Sequence, residues 1–164
     1  MEDQPSGTSP GSSGQAMVVF SLDDRRYALA LDRVRRSIRV VAITPLPEAP
    51  AIVSGIIDLG GVVIPVMNMR LRFNHPQRDV RLSDHLLIAT TGKWTIALLV
   101  DETIGVIEAS PENFTPASDI VPRLDLVDGA IRVESGLILI HDLDRLLSLE
   151  EEAGMDIALR SAGP

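Results

Sequence analysis

The chain has 164 residues, 45% of them hydrophobic, and a formal net charge of -8 at pH 7, which is enough apolar material for one domain or a fused pair of small ones. The acidic balance argues against a nucleic-acid binder, which needs clustered Lys and Arg to neutralise phosphates. The lack of cysteine removes disulfides, thiolate metal ligands and thiol nucleophiles together.

Met1 to Gln15 is acidic and rich in Ser, Gly and Pro. It has no apolar segment of the kind that makes a signal peptide, and residues 1–16 are expected to form a disordered tail. No later run reaches the ~20 apolar residues of a bilayer span. A cytoplasmic protein without direct membrane insertion is the expectation.

The apolar stock is mostly Val, Ile, Leu and Ala with only 3% aromatics, and β-branched side chains favour pleated, half-buried strands. From Met17 onward short apolar runs alternate with turn residues. Val18, Phe20 and Leu22 share one face, Asp23-Asp24-Arg25-Arg26 forms a turn, and Tyr27, Leu29 and Leu31 resume the alternation, so the spacing predicts a hairpin.

An apolar run over Ile38–Ile43 leads into Thr44 to Pro50. Prolines 45, 47 and 50 there forbid a helix and remove ladder donors. Gly55–Leu59 and Val62–Met69 form a second strand pair turned by Gly60-Gly61. The polar stretch His75 to Ser83 marks a lobe boundary near residue 80, Asp84 opens a second set of strands, and the first strand, Val18 to Leu22, either pairs within its own lobe or crosses to the other. Leu143, Leu146 and Leu147 behind Asp142, a candidate N-cap, predict a short C-terminal helix, with residues 151–164 as a tail that either continues the helix or frays.

The second half echoes the first. A shift of 69 residues carries Val18-Val19 onto Leu87-Ile88, Ala28-Leu29 onto Ala97-Leu98, Asp32 onto Asp101, Ile38 onto Ile107 and Pro47 onto Pro116. A shift of 74 carries Ile64 to Met69 onto Ile138 to Leu143. The unequal shifts imply a loop-length difference between two copies of a unit of about five strands, and units of this size close into small barrels because closure removes exposed edges.

The chemistry-bearing residues form no catalytic set. His75, His85 and His141 stand alone, without metal-ligand spacing. Ser83-Asp84-His85 has the letters of a triad, but neighbouring strand residues face opposite ways, which favours an N-cap or turn. No phosphate-cradling glycine loop follows a strand. Trp94, the only tryptophan, is read as core or edge packing. The expectation is no enzyme, no cofactor and no metal.

An ordered series of motifs then resembles the CheW family of coupling proteins. It runs through Phe20-Ser-Leu, Tyr27-Ala28-Leu29, Val34, Ile43-Thr44-Pro45-Leu46-Pro47, and Val53-Ser-Gly55-Ile-Ile-Asp58-Leu59-Gly60-Gly61. It continues with Ile64-Pro65-Val66, Asp84-His85-Leu86-Leu87-Ile88, Val100-Asp101 and Ile140-His141-Asp142-Leu143.

The resemblance covers about Val18 to Leu147. It implies a mainly β fold of two packed, SH3-like five-stranded barrels with a short C-terminal helix. It also implies a non-catalytic adaptor between the regulatory domain of a CheA-type histidine kinase and the cytoplasmic tip of methyl-accepting chemoreceptors, possible recruitment to membrane receptor arrays included.

By motif position, Val34, Arg36, Asp58, Leu59, Gly60 and Gly61 are the receptor-groove candidates, and no kinase-contacting residue is assigned. Two positions depart from the family pattern. Asp58-Leu59-Gly60-Gly61 stands where Asn-Leu-Arg-Gly is common, and Arg36 stands where a glutamate is frequent. Loss of acid and base together avoids a lone unpaired charge and implies a divergent receptor or a non-chemotactic array. The alternative from another class is a sensor, or a relative of the kinase's regulatory domain, that uses the groove between lobes for a small molecule or peptide.

Overall fold

The computed structural model describes residues 14–120 and 127–162. Most of the expected N-terminal tail lies outside the described residues. The first strand, β1 (Gln15–Leu22), begins within the last of it and is turned into β2 (Arg25–Ala30) by Asp23-Asp24. β3 (Val34–Arg39) follows a 3-10 turn, and the proline-rich connection returns as β4 (Val53–Leu59) and β5 (Val62–Asn68).

A one-turn helix, α1 (Met69–Arg72), ends that unit. The second set comprises β6 (His85–Thr90), β7 (Thr95–Val100), β8 (Glu102–Ala109), β9 (Phe114–Pro116), β10 (Val127–Val133) and β11 (Gly136–His141). A helix, α2 (Leu149–Ser161), completes the chain.

The strands form a six-stranded sheet in the order β8-β1-β2-β11-β10-β9 and a five-stranded sheet in the order β3-β6-β7-β5-β4. A cut near residue 80 does not separate them. Sheet membership changes instead between β2 and β3 and again at Asp101, between β7 and β8. The physical reason is an exchange of hairpins. β1–β2 pairs with β8 and β11 of the second copy, while β6–β7 pairs with β3 and β5 of the first.

The registers reproduce the duplication residue by residue. Val18 opposes Leu29 as Leu87 opposes Leu98, and Met17 opposes Ile107 as Leu86 opposes Ile38. The parallel pair Ile140–Ala28 matches Val66–Ala97. The irregularities repeat as well, between Val34 and Arg36 opposite β6 and between Gly105 and Thr103 opposite β1. The register break from Val53 to Gly55 recurs from Val127 to Gly129.

One sequence correspondence is shifted. Thr44 bridges Ile56 where Thr115 pairs with Ala130, so Pro45 rather than Pro47 is the structural partner of Pro116.

Alternation along the strands builds three cores. Met17, Val19, Ala28, Ile131, Ile138 and Ile140 fill one barrel, and Ile57, Ile64, Val66, Leu86, Ile88 and Ala97 fill the other. The opposite faces of the exchanged hairpins (Val18, Phe20, Tyr27, Leu29 and Leu87, Ala89, Ile96, Leu98) meet in a shared core between the lobes. Trp94 packs against this shared core.

The C-terminal segment is longer and more regular than expected. Residues 143–145 make only a 3-10 turn, capped by Asp142, and the helix proper begins after Ser148. Ser148 and Glu151 form a reciprocal capping box, and Glu150 to Glu152 lie at the positive end of the helix dipole. Met155 and Ala158, three apart on one face, are buried in the shared core, so this segment is no free tail.

Two glycines sit at equivalent register breaks. A Cβ at Gly55, whose φ is +155°, would collide with the carbonyl oxygen of Thr44, and one at Gly129 would lie 2.5 Å from that of Thr115. Gly55→Ala and Gly129→Ala are each expected to lower unfolding free energy by about 1–3 kcal/mol in urea titrations, through forced backbone displacement. Gly92→Ala, with open space around its Cβ, should stay within about 0.5 kcal/mol of the parent.

Candidate docking surface between the lobes

β3 and β8 are equivalent edge strands, one on each sheet. They approach each other where Ser37 Oγ lies 2.8 Å from Thr103 Oγ1. Because Ser37 opposes Leu87 and Thr103 opposes Phe20, both project on the side of the shared core, and Val34 (opposite Ala89) and Val106 (opposite Val18) flank them on that side. Val34 is half-buried against the shared core, whereas Val106 is 58% exposed and Ile104 43%. This places an apolar strip at the mouth between the lobes.

The register break at Arg35 separates two candidates that sequence spacing puts on one face. Val34 and Arg36 oppose consecutive residues of β6, Ala89 and Ile88, which serve different cores. Val34 therefore faces the shared core and Arg36 the opposite side, where it is exposed.

The other four candidates lie at the β4–β5 turn. Gly60 and Gly61 have φ of +62° and +89°, a pair of left-handed residues that matches the twist of a two-residue hairpin. Asp58 Oδ1 accepts the Gly61 N–H at 2.8 Å, and Leu59 packs against its own barrel core. Exposed Val62 and Val63 follow the turn. Among the described residues no hydrogen bond or ion pair joins Arg36 to this turn.

A polar cluster missed by sequence reasoning fastens the two sheets. Asp101 is the single residue joining β7 to β8, and its carboxylate accepts from Arg70 Nη2 (2.7 Å), Arg78 Nη2 (2.8 Å) and the Asp23 N–H (2.7 Å). Arg70, 10% exposed at its side chain, also donates to Asp23 Oδ1 at 2.7 Å and to the Pro76 carbonyl at 2.7 Å.

Burial opposes the charge on Arg70, but its bonds to Asp23 and Asp101 outweigh that and raise its pKa. Arg78 reaches back to buried Asp84, which also accepts the Arg81 N–H as a turn residue. Desolvation pushes Asp84 upward, yet the bonds from Arg78 and Arg81 hold its pKa below the usual value.

Asp23 is a non-glycine residue at φ +55°, held in that conformation by both its N–H and its carboxylate. His75 Nδ1 lies 3.0 Å from Asp23 Oδ2 and its Nε2 2.8 Å from the Tyr27 hydroxyl. A carboxylate can only accept, so Nδ1–H is the donor toward Asp23.

Phe73 stacks on Tyr27 at 4.4 Å and meets His141 edge-on at 5.0 Å, which brings together two histidines that look isolated in the sequence. An open groove of about 800 Å³ runs over Tyr27, Phe73 and His75 toward Arg25 and Leu139. His85, the third histidine, stays apart on β6. Among the described residues no group of three or more His, Asp or Glu is placed to hold a metal ion.

These features define a duplicated β scaffold, its two lobes fastened into one body and its edges left open for protein contacts. The chain belongs to the CheW-like domain family, whose family model matches residues 16–151. It is 25% identical over 142 residues to the chemotaxis protein CheW of Rhizobium meliloti, covering 85% of this chain and 92% of that one. It is also 25% identical over 150 residues to CheW of Bacillus subtilis, covering 87% and 93%. The crystal structure of the scaffolding protein TtCheW from Thermoanaerobacter tengcongensis superposes with a TM-score of 0.75 at 27% identity, over 84% of this chain and 95% of that one.

Two predictions follow from the Asp101 cluster. Asp101→Ala leaves Arg70 and Arg78 short of a partner at low exposure and is expected to cost about 3 kcal/mol in denaturant unfolding, the scale of a broken, largely buried pair. The second concerns acid. Hydrogen bonds from Arg70, then His75, lower the pKa of Asp23 from 3.8 to about 2. A depressed carboxylate stabilises the fold above its unfolded pKa and loses that contribution as pH falls through the folded one. Stability should therefore fall between about pH 4 and 2, and Asp23→Asn should flatten that part of the profile.

Proposed function

We propose that this chain is a non-catalytic adaptor of a chemotaxis-type signalling array, coupling a CheA-type histidine kinase to methyl-accepting chemoreceptors. The observation that carries the reading is the family match across both lobes, together with a fold that keeps β3 and β8 open as edges. Unpaired strand edges and exposed valines are what an adaptor needs, because backbone pairing and apolar anchors supply affinity without turnover.

In this reading the receptor tip lies against the mouth between the lobes, over Val34, Ser37, Thr103 and Val106. Arg36 lies on the outer face of β3, and the Asp58-Leu59-Gly60-Gly61 turn belongs to the far side of the same sheet. The regulatory domain of the kinase meets a separate surface. No helix among the described residues is long and apolar enough to cross a membrane, and placement at a membrane array would come through the receptor.

Val106→Asp puts a charge on the apolar strip at an exposed position. It should weaken binding of a receptor signalling-tip fragment by about tenfold or more, the scale of a lost apolar anchor. Binding to the kinase regulatory domain and the thermal melt should hardly change, as read by calorimetry and circular dichroism. Undiminished receptor binding would remove the groove assignment.

A further inference from the structure

Six of the fifteen basic residues fall between Arg25 and Arg39, in a chain of net charge -8. Three of them, Arg35, Arg36 and Arg39, are exposed on the edge strand β3. Arg33, Arg70, Arg72 and Arg78 are each held by a carboxylate. Among the described residues no carboxylate pairs with Arg35, Arg36 or Arg39.

The duplication gives an internal control for what the fold itself requires there. On β8 the equivalent positions are Ile104, Gly105 and Glu108, in the same register against the neighbouring hairpin and with the same break. A hydrophobe, a glycine and an acid serve the second lobe where the first carries three arginines. The backbone does not demand positive charge at these sites, and no internal partner among the described residues uses it.

We infer that β3 sets partner specificity, and that the receptor segment accepted at this groove is acidic where it meets Arg35, Arg36 and Arg39. This rests on the adaptor reading above. Beyond the register break the strand alternates regularly, which puts Arg36 on the face opposite Ser37 and Arg39, so guanidinium groups lie on both sides of the edge and flank a segment laid along it. Guanidinium pairs with carboxylate through two parallel hydrogen bonds, which adds orientation to attraction. Charges at an interface rim act on encounter rate and on rejection of wrong partners. A receptor carrying basic residues at the contact would be repelled.

The test uses the full chain and signalling-tip fragments of the methyl-accepting receptors encoded in the same genome, with affinity measured by calorimetry across a salt series. Arg35→Glu/Arg36→Glu/Arg39→Glu should weaken binding by about tenfold or more and abolish most of its salt dependence, while the lysine triple variant keeps the affinity within a few fold. A glutamine triple variant with an unchanged melt serves if the charge reversal does not fold.

Kinase regulatory-domain binding is the control for an intact scaffold. Tight receptor binding that ignores all three substitutions overturns this inference and leaves the adaptor reading standing, with the arginines serving only to guard a sheet edge. Kinase binding with no affinity for any receptor fragment overturns both.

Discussion

Among the described residues the N-terminal hairpin has no sheet partner in its own half of the chain. β1 is hydrogen-bonded to β8 and β2 to β11, while β3 to β5 build their sheet around β6 and β7. Neither barrel can close until the other half is present, so the lobes are one cooperative unit even though each has its own core. Pairings this distant in sequence carry a large loop-closure cost before any contact offsets it. The shared core and the cluster around Asp101 supply the compensation at the crossing point. Asp101 holds Asp23 of the exchanged hairpin, Arg70 at the end of the β4–β5 unit and Arg78 of the connector, so one side chain ties three segments of the topology.

A body fastened in this way suits coupling. An adaptor transmits a change at one surface to another only if the material between them is stiff, and close-packed cores transmit strain. The equivalence of β3 and β8 gives two edges of one geometry but different chemistry, apolar and acidic on β8 and basic on β3. Duplication supplied the shape twice, and substitution made the two copies distinct.

Much of this was legible in the sequence. Period-two alternation located both hairpins, Gly60-Gly61 marked a turn that needs two left-handed residues, and the 69- and 74-residue shifts predicted equivalences that the strand registers reproduce. Whether the first strand crosses stayed open, because alternation reports which face a residue serves and not which strand lies beside it. The polar stretch near residue 80 consequently looked like a boundary although it lies between strands of one sheet.

Val34 and Arg36, two apart, would share a face in an unbroken strand, but a single extra residue at Arg35 reverses the alternation. The C-terminal helix was placed too early because leucine spacing outweighed the Ser148–Glu151 capping box. The Asp101 cluster left no local signal, its members being drawn from positions 23, 70, 78, 84 and 101.

The proposal with most at stake is that this scaffold couples a kinase's output to a receptor. The direct measurement is phosphate incorporation into a CheA-type kinase mixed with receptor-bearing membranes from the same organism, with and without this chain. The account predicts kinase activity that responds to the receptor only when the chain is present. Kinase activity that is the same whether or not the chain is added, with both binding partners shown to be intact, would contradict it.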